Sequence, residues 1–413
     1  MSHFFCTLLL VTFLHSDLLA SERVIEVRTE GPVSSLTEAL ELAYDGDEIR
    51  VYPGTYPVHD LQITKSVVIN GIDYPVLDGG NLGHMLVLHA DNIEVRGFII
   101  QNSGSSQVHD YSAILSEKTS GAVIEGNRFI ENFFDIYIAD SDNSLITGNM
   151  IEASERRESL SANGIHLWNS RDFRIVNNTI HGKRDGIYLE FVLNGEIHGN
   201  ISENNVRYGL HFMFSDDSEY DNNQFRKNGA GVAVMYSKNV KMTNNIFEKN
   251  WGASSYGLLL KEMNVSEIAN NIFYENTVGI FTEGSHDLEI YGNDFELNGW
   301  AVKIYANSTN NRFLSNNFIE NTFDVGTRSL RHYNHFEGNY WSHYEGYDMD
   351  RDGVGDVPYR PVRLFSILIE RRPEALILLR SMMIRLLDMA ERVMPVLTPE
   401  TLVDEKPRMQ RIL

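Results

Sequence analysis

The feature that most restricts what this chain can fold into is a short asparagine-centred pattern, [Gly/Asn]-Asn-x-apolar-x-x-Asn with variations, that returns along most of its length. Its marker falls at Asn127, Asn149, Asn178, Asn200, Asn223, Asn245, Asn271, Asn293, Asn317 and Asn339, in steps of 22, 29, 22, 23, 22, 26, 22, 24 and 22. A period this short, with small insertions, specifies a solenoid. Between markers lie brief runs such as Gly164 to Leu167, Gly186 to Leu189, Gly209 to Phe212, Gly231 to Val234 and Gly257 to Leu260. Each alternates inward and outward and is too short for a helix. Two or three such strands plus turns fill one coil, and stacked coils bring equivalent residues about 4.8 Å apart in parallel ladders. The expected fold class is therefore all-β, a right-handed parallel β-helix. An Asn at each coil's turn can adopt the left-handed conformation, bond the backbone and pair its amide with the next coil's.

A solenoid needs covered ends. Ser35-Leu36-Thr37-Glu38 is a capping-box pattern opening an amphipathic segment to Ala43, which predicts a helical plug over the first coil. The division expected is a β-helix over residues 21–345, an acidic Asp/Gly loop over 346–362 and a helical tail over 363–413. Residues 1–20 are expected to be a signal peptide. Phe4 to Leu14 is an apolar run too short to span a bilayer, and cleavage after Ala20 fits loosely because Leu18 stands where a smaller residue is usual. Cys6, the single cysteine, would leave with that segment. This excludes a disulfide scaffold and a multi-Cys zinc site, and leaves Met and His for any soft-metal chemistry. With 35 Lys plus Arg against 57 Asp plus Glu, the formal charge is 35 − 57 = −22, which argues against nucleic acid as a partner.

Strand alternation puts two columns on the outside of the coils. One reads His166, Tyr188, His211, Ala233, Leu259; the other reads Trp168, Glu190, Met213, Met235, Lys261. Met213 and Met235 are then neighbours one rung apart, with His211 on the strand of Met213 and Glu190 beside it. Two thioethers and an imidazole suit Cu(I), so Met213, Met235, His211 and Glu190 form a copper candidate. The alternative is that exposed Met and aromatic side chains form a docking patch.

Asp348, Asp350, Asp352 and Asp356, with Gly353 between them, follow the opening spacing of an EF-hand loop. Tyr359 stands where the bidentate Glu belongs. The loop is either a Ca²⁺ site completed from elsewhere or an Asp/Gly turn closing the last coil. Beyond it, Leu376 to Met389 is strong helix-former sequence whose apolar arc is wider than a surface helix needs. Residues 364–394 are expected either to cap the last coil or to dock onto a partner.

Many β-helices act on polysaccharides, and a carbohydrate-active lyase, hydrolase or epimerase is the competing reading. Such chemistry needs acid and base groups clustered on one outer face. Asp216 and Asp217 are adjacent and point oppositely, while His166 and His211 lie two coils apart. The expectation is therefore that the chain is not an enzyme.

The segment Tyr208 to Asp217, followed by Gly231 to Ser237, and the ending Gly338-Asn339-Tyr340-Trp341-Ser342 through Asp350 to Tyr359, resemble the NosD family of nitrous-oxide-reductase maturation proteins. The resemblance covers the chain from about Val24 to Met394. It implies a periplasmic β-helix working with an ABC transporter ATPase and permease to deliver copper, or a sulfur species, to the copper centres of nitrous oxide reductase. On that implication a copper-donating chaperone and the reductase are partners, residues 364–394 grip the transporter, and Met213, Met235 and His211 are a transit site.

Overall fold

The computed structural model describes residues 23–154, 161–305, 307–328, 333–379, 381–393 and 402–412. The expected signal peptide lies outside them, as do Met394 and the residues that follow it up to 401. Three all-parallel sheets of 14, 13 and 12 strands wind about one axis, each strand pairing with its equivalents one coil before and one coil after. We call these the first, second and third sheets. The third carries the Gly-initiated runs singled out in the sequence, and its register pairs Tyr188 with His211, Glu190 with Met213 and Met213 with Met235. The fold is the parallel β-helix that the repeat demands.

The core fills the coil interior with one residue type per column. Phe225, Phe247, Phe273, Phe295, Phe318 and Trp341 stack with ring centroids 4.0–5.6 Å apart. The buried Asn column is a hydrogen-bonded ladder. Asn223, for example, accepts from the backbone N–H of Asn200 at 2.9 Å and donates its amide to Asn245 at 3.0 Å. Two features differ from the sequence reading. The ladder runs through Asn316, which accepts from Asn293 and donates to Asn339, while Asn317 begins a strand of the second sheet and bonds Asp294 and Ile412. And the residue of positive φ is the one before each ladder Asn, as with Gly199, Asn222, Asn244 and Ser315. The rule explains the shift: the left-handed residue aims the next side chain inward, so Ser315 selects Asn316.

A second buried Asn ladder, Asn205, Asn228, Asn250, Asn276, Asn298 and Asn321, went unread in the sequence. Lys183 occupies the rung before Asn205, giving its backbone N–H to the Asn205 side chain. Its buried ammonium reaches back to the carbonyls of Asn132 and Phe133 and, at 2.8 Å, to the buried carboxylate of Asp135. The long arm thereby bridges the coil that carries the 29-residue step.

Both ends are covered. Helix α1 (Leu36–Leu42) is N-capped by Ser35, whose hydroxyl accepts from Glu38 N–H, and buries Leu36, Ala39 and Leu40 on the first coil. At the far end the expected 363–413 tail divides. Helices α2 (Leu364–Arg371) and α3 (Met382–Val393) fold back along the outside of the third sheet, where Phe365, Ile369 and Ile384 join Leu259, Phe281, Trp300 and Phe323 in an apolar cluster. Glu370, buried there, pairs with Lys303 at 2.5 Å and Arg328 at 3.3 Å. Residues 402–412 are not helical; they return to the last coil. Asp404 bridges Phe336 and Tyr359, and Arg408 bridges Tyr340 and Val354. The Asp404 carboxylate receives N–H groups from Gly338, Asn339 and Trp341. A carboxylate accepts but cannot donate, so it ends a ladder that an amide would have to pass on.

Candidate functional site

The third sheet's outer face is built from the strands Ile165–Trp168, Asp185–Glu190, Tyr208–Met213 and Ala230–Met235. Glycine precedes or opens each inward–outward run because a neighbouring coil's carbonyl lies too close for a β-carbon: one added at Gly209 would sit 2.7 Å from the carbonyl oxygen of Gly231. His166, Tyr188 and His211 then lie in one column, as expected. Their rings meet edge to face at 4.7 and 4.8 Å, with Tyr137 stacked on His166 at 4.4 Å and Tyr208 leaning on His211 at 4.8 Å.

This aromatic wall buries both imidazoles, so the column expected to be open to solvent is mostly closed. Burial, aided by the charge of Arg184, pushes the His166 imidazole down to about 3. The Nε2 atoms of His166 and His211 are buried without a hydrogen-bond partner among the described residues. His211 Nδ1 lies 3.4 Å from the Arg207 guanidinium and 3.8 Å from the Asp185 carboxylate. Arg207 grips Asp185 with two nitrogens, Nε at 2.9 Å and Nη2 at 2.5 Å. Burial alone would raise the Asp185 carboxyl, but the hydrogen bonds and charges of His211 and Arg207 outweigh it and hold the group below its ordinary range. The sequence reading missed Asp185 and Arg207. The only available signal was a charged pair 22 residues apart, the coil period itself.

Met213 and Met235 are half-buried and adjacent in register, with Glu190 across from Met213. Met235 also packs on the apolar cluster that the tail helices cover. The structure thus brings His211, Met213, Met235 and Glu190 to one wall, beside the buried Asp185 with its partly exposed partner Arg207 and next to the folded-back tail. A pair of thioethers with an imidazole beside them can hold a soft monovalent cation.

The acidic loop is organised differently from a site with four converging carboxylates. Oxygens of Asp348, Asp350 and Asp352 all lie within 4.8 Å of one another, while Asp356 stands outside that group and accepts from Met349 N–H. Asp348 accepts from the N–H groups of Arg351 and Gly353, and Asp352 from that of Val354. The charge of Asp352 pushes the Asp350 carboxyl up. Gly355 N–H donates to Pro407, and Tyr359 pairs with Asp404. These bonds hold the loop as a turn against the last coil, and the three clustered carboxylates are a group that could hold a cation.

Asp216 and Asp217, the acidic pair considered for acid–base work, sit at a corner. Asp216 accepts from Lys238 N–H and Asp217 from the Asn239 amide, so both are engaged in holding the turn.

Fold and wall together define a parallel β-helix that carries two adjacent methionines and a histidine on its outer sheet. Among the described residues no helix is long and apolar enough to cross a membrane. Residues 152–346 match the family described as "Periplasmic copper-binding protein (NosD)". Over 81% of this chain, and 82% of the relative, the sequence is 31% identical to the probable ABC transporter binding protein NosD of Pseudomonas aeruginosa. The protein of the same description from Stutzerimonas stutzeri is 27% identical over 81% of this chain and 80% of its own. The chain belongs to the NosD family. Among solved structures, the Dettilon tailspike protein superposes with a TM-score of 0.60 at 13% identity, covering 75% of this chain and 69% of that one. PfbA, a surface adhesin of Streptococcus pneumoniae, does so with 0.55 at 15% identity, covering 68% and 87%. At these identities the likeness is one of fold.

Proposed function

We propose that this protein is a non-enzymatic periplasmic accessory factor in denitrification, which carries Cu(I) for the maturation of nitrous oxide reductase and works with an ABC transporter. The single observation that carries the reading is the register that stacks Met213 on Met235 with His211 alongside. Thioethers are soft ligands that hold Cu(I) and discriminate against the hard cations abundant outside the cytoplasm. Arg207 and Asp185 both face His211 Nδ1, so the ring nitrogen without a partner among the described residues is Nε2. Glu190 adds one negative charge next to Met213. Membership of a family described as periplasmic and copper-binding, and relatives named as ABC transporter binding proteins, support the same reading.

The tail supplies the grip on the transporter. Its inner face is used on the third sheet, while Ile377, Met382, Met383, Leu386 and Met389 are 53–89% exposed. Competitive titration with a Cu(I) chelator tests the cargo: Met213→Ala combined with Met235→Ala is expected to weaken Cu(I) binding at least tenfold, and an unchanged affinity would remove this site. Co-purification with the permease, with and without residues 364–393, tests the grip. The deletion joins two anchored ends, because Val362 and Asp404 are both buried in the cap.

A further inference from the structure

Between the third and first sheets these turns carry two residues of positive φ three apart, and from coil to coil the first of them is Asp140, Asn169, Phe191, Phe214, Tyr236 and Glu262. A left-handed backbone crowds a bulky side chain and costs on the order of 1–2 kcal/mol. Asp140 and Asn169 pair their polar ends at this corner, and Glu262 carries a charge there. The three successive aromatics gain nothing comparable: they are 48%, 41% and 42% exposed, and no described element covers them. Their rings stack at 5.2 and 4.9 Å with interplanar angles of 9° and 12°, which engages both faces of Phe214 and the inner faces of Phe191 and Tyr236 and turns the ring edges outward. Leu193, 42% exposed, widens the strip, and Met213 and Met235 directly precede Phe214 and Tyr236. The coils on either side fold with Asn169 and Glu262 at the same turn, so folding does not require the rings. Backbone strain combined with exposed apolar surface marks a contact site.

The charge around the strip says what kind of partner fits. Glu190, Asp172, Asp216, Asp217 and Glu262 border it, against Arg171, which bridges to Leu193, and Lys238 and Lys261, so acidic groups outnumber basic ones. Asp172 and Asp217 accept from the side-chain amides of Asn194 and Asn239, which satisfies oxygens without cancelling charge. Lys238 offsets part of this from 3.9 Å away from Asp216. Aromatic edges carry the positive end of the ring quadrupole and favour sulfur and aliphatic groups over sugar faces.

We infer that Phe191, Phe214 and Tyr236 form a docking edge for a protein partner that presents a methionine-bearing or aliphatic tip inside a basic rim, and that the edge seats this tip beside Met213 and Met235. What the contact hands over rests on the copper reading above; the edge itself does not.

The test is the triple variant Phe191→Asn, Phe214→Asn, Tyr236→Asn, which installs at three turns the residue that position 169 already uses. Its Tm is expected to equal or exceed that of the parent, and its Cu(I) affinity to stay within twofold. Its affinity for a fluorescent peptide with a Met-Leu-Met core between lysine pairs is expected to fall at least tenfold, and the parent's binding to weaken with salt. A peptide of the same core between glutamate pairs is expected to bind neither protein. Equal peptide affinity in parent and variant would overturn the inference, as would a Tm lowered by more than about 3 °C, which would make the rings a folding element. Displacement of the peptide by a mannuronate oligosaccharide would overturn it in favour of a saccharide site. If Met213→Ala with Met235→Ala leaves Cu(I) binding intact while peptide binding still depends on the rings, the copper reading falls and the docking edge stands.

Discussion

Replacing Asp404 by Ala removes the terminus of the Asn ladder and unseats the returning segment 402–412. The carboxylate takes four bonds from the solenoid: Gly338 N–H at 3.1 Å, and Asn339 N–H, the Asn339 side-chain amide and Trp341 Nε1 at 3.0 Å each. Asn339, Trp341 and Asp404 are each at most 1% exposed, so water does not replace those bonds while the end stays closed. A buried donor left without a partner costs about 1–3 kcal/mol. Four of them exceed what a terminal coil can bear, so the end is expected to open to water and the loss to level off at roughly 3–5 kcal/mol of local stability. The damage stays local because each coil contacts only its neighbours. Hydrogen exchange read by mass spectrometry is expected to show lost protection over residues 335–341 and 402–412 and unchanged protection around Asn223. Asp404→Asn is expected to lie between parent and Ala, since its amide nitrogen would face N–H donors with no further rung to receive it. Parent-like protection at Asn339 and Trp341 in the Ala variant would refute the ladder-terminus argument.

Lys183→Met is expected to cost about 3–5 kcal/mol in urea unfolding, because it leaves the buried Asp135 carboxylate without its cation; pairing it with Asp135→Asn should recover much of the loss. His166 is held at about 3 when folded against an ordinary 6.5. The unfolded chain therefore takes up a proton that the folded one refuses, and stability falls by up to about 1.4 kcal/mol per pH unit between those values. His166→Phe is expected to flatten that part of the pH–stability curve. Deleting residues 364–393 uncovers Phe281, Trp300 and Phe323, so binding of a hydrophobic dye is expected to rise while the circular-dichroism spectrum keeps its β character; an unchanged dye signal would place the tail off the third sheet.

The coil period, the parallel register, the existence of an Asn column and the stacking of Met213 on Met235 were all legible in the sequence. In a parallel solenoid, residues one period apart are neighbours, so a one-dimensional repeat fixes a three-dimensional contact. The same logic failed by one residue at Asn317, because an Asn-Asn pair hides which member follows the left-handed residue. It also passed over the second ladder, although Asn205 to Asn321 repeats at the coil period without a break. The tertiary structure alone decided what covers the outer faces. Helices α2 and α3 lie on strands up to about 150 residues earlier in the chain, Asp404 ends a ladder that it does not resemble, and aromatic neighbours close over His166 and His211. Contacts between segments that share no period leave no trace in a repeat; they follow from which apolar surfaces remain uncovered once the coils have stacked.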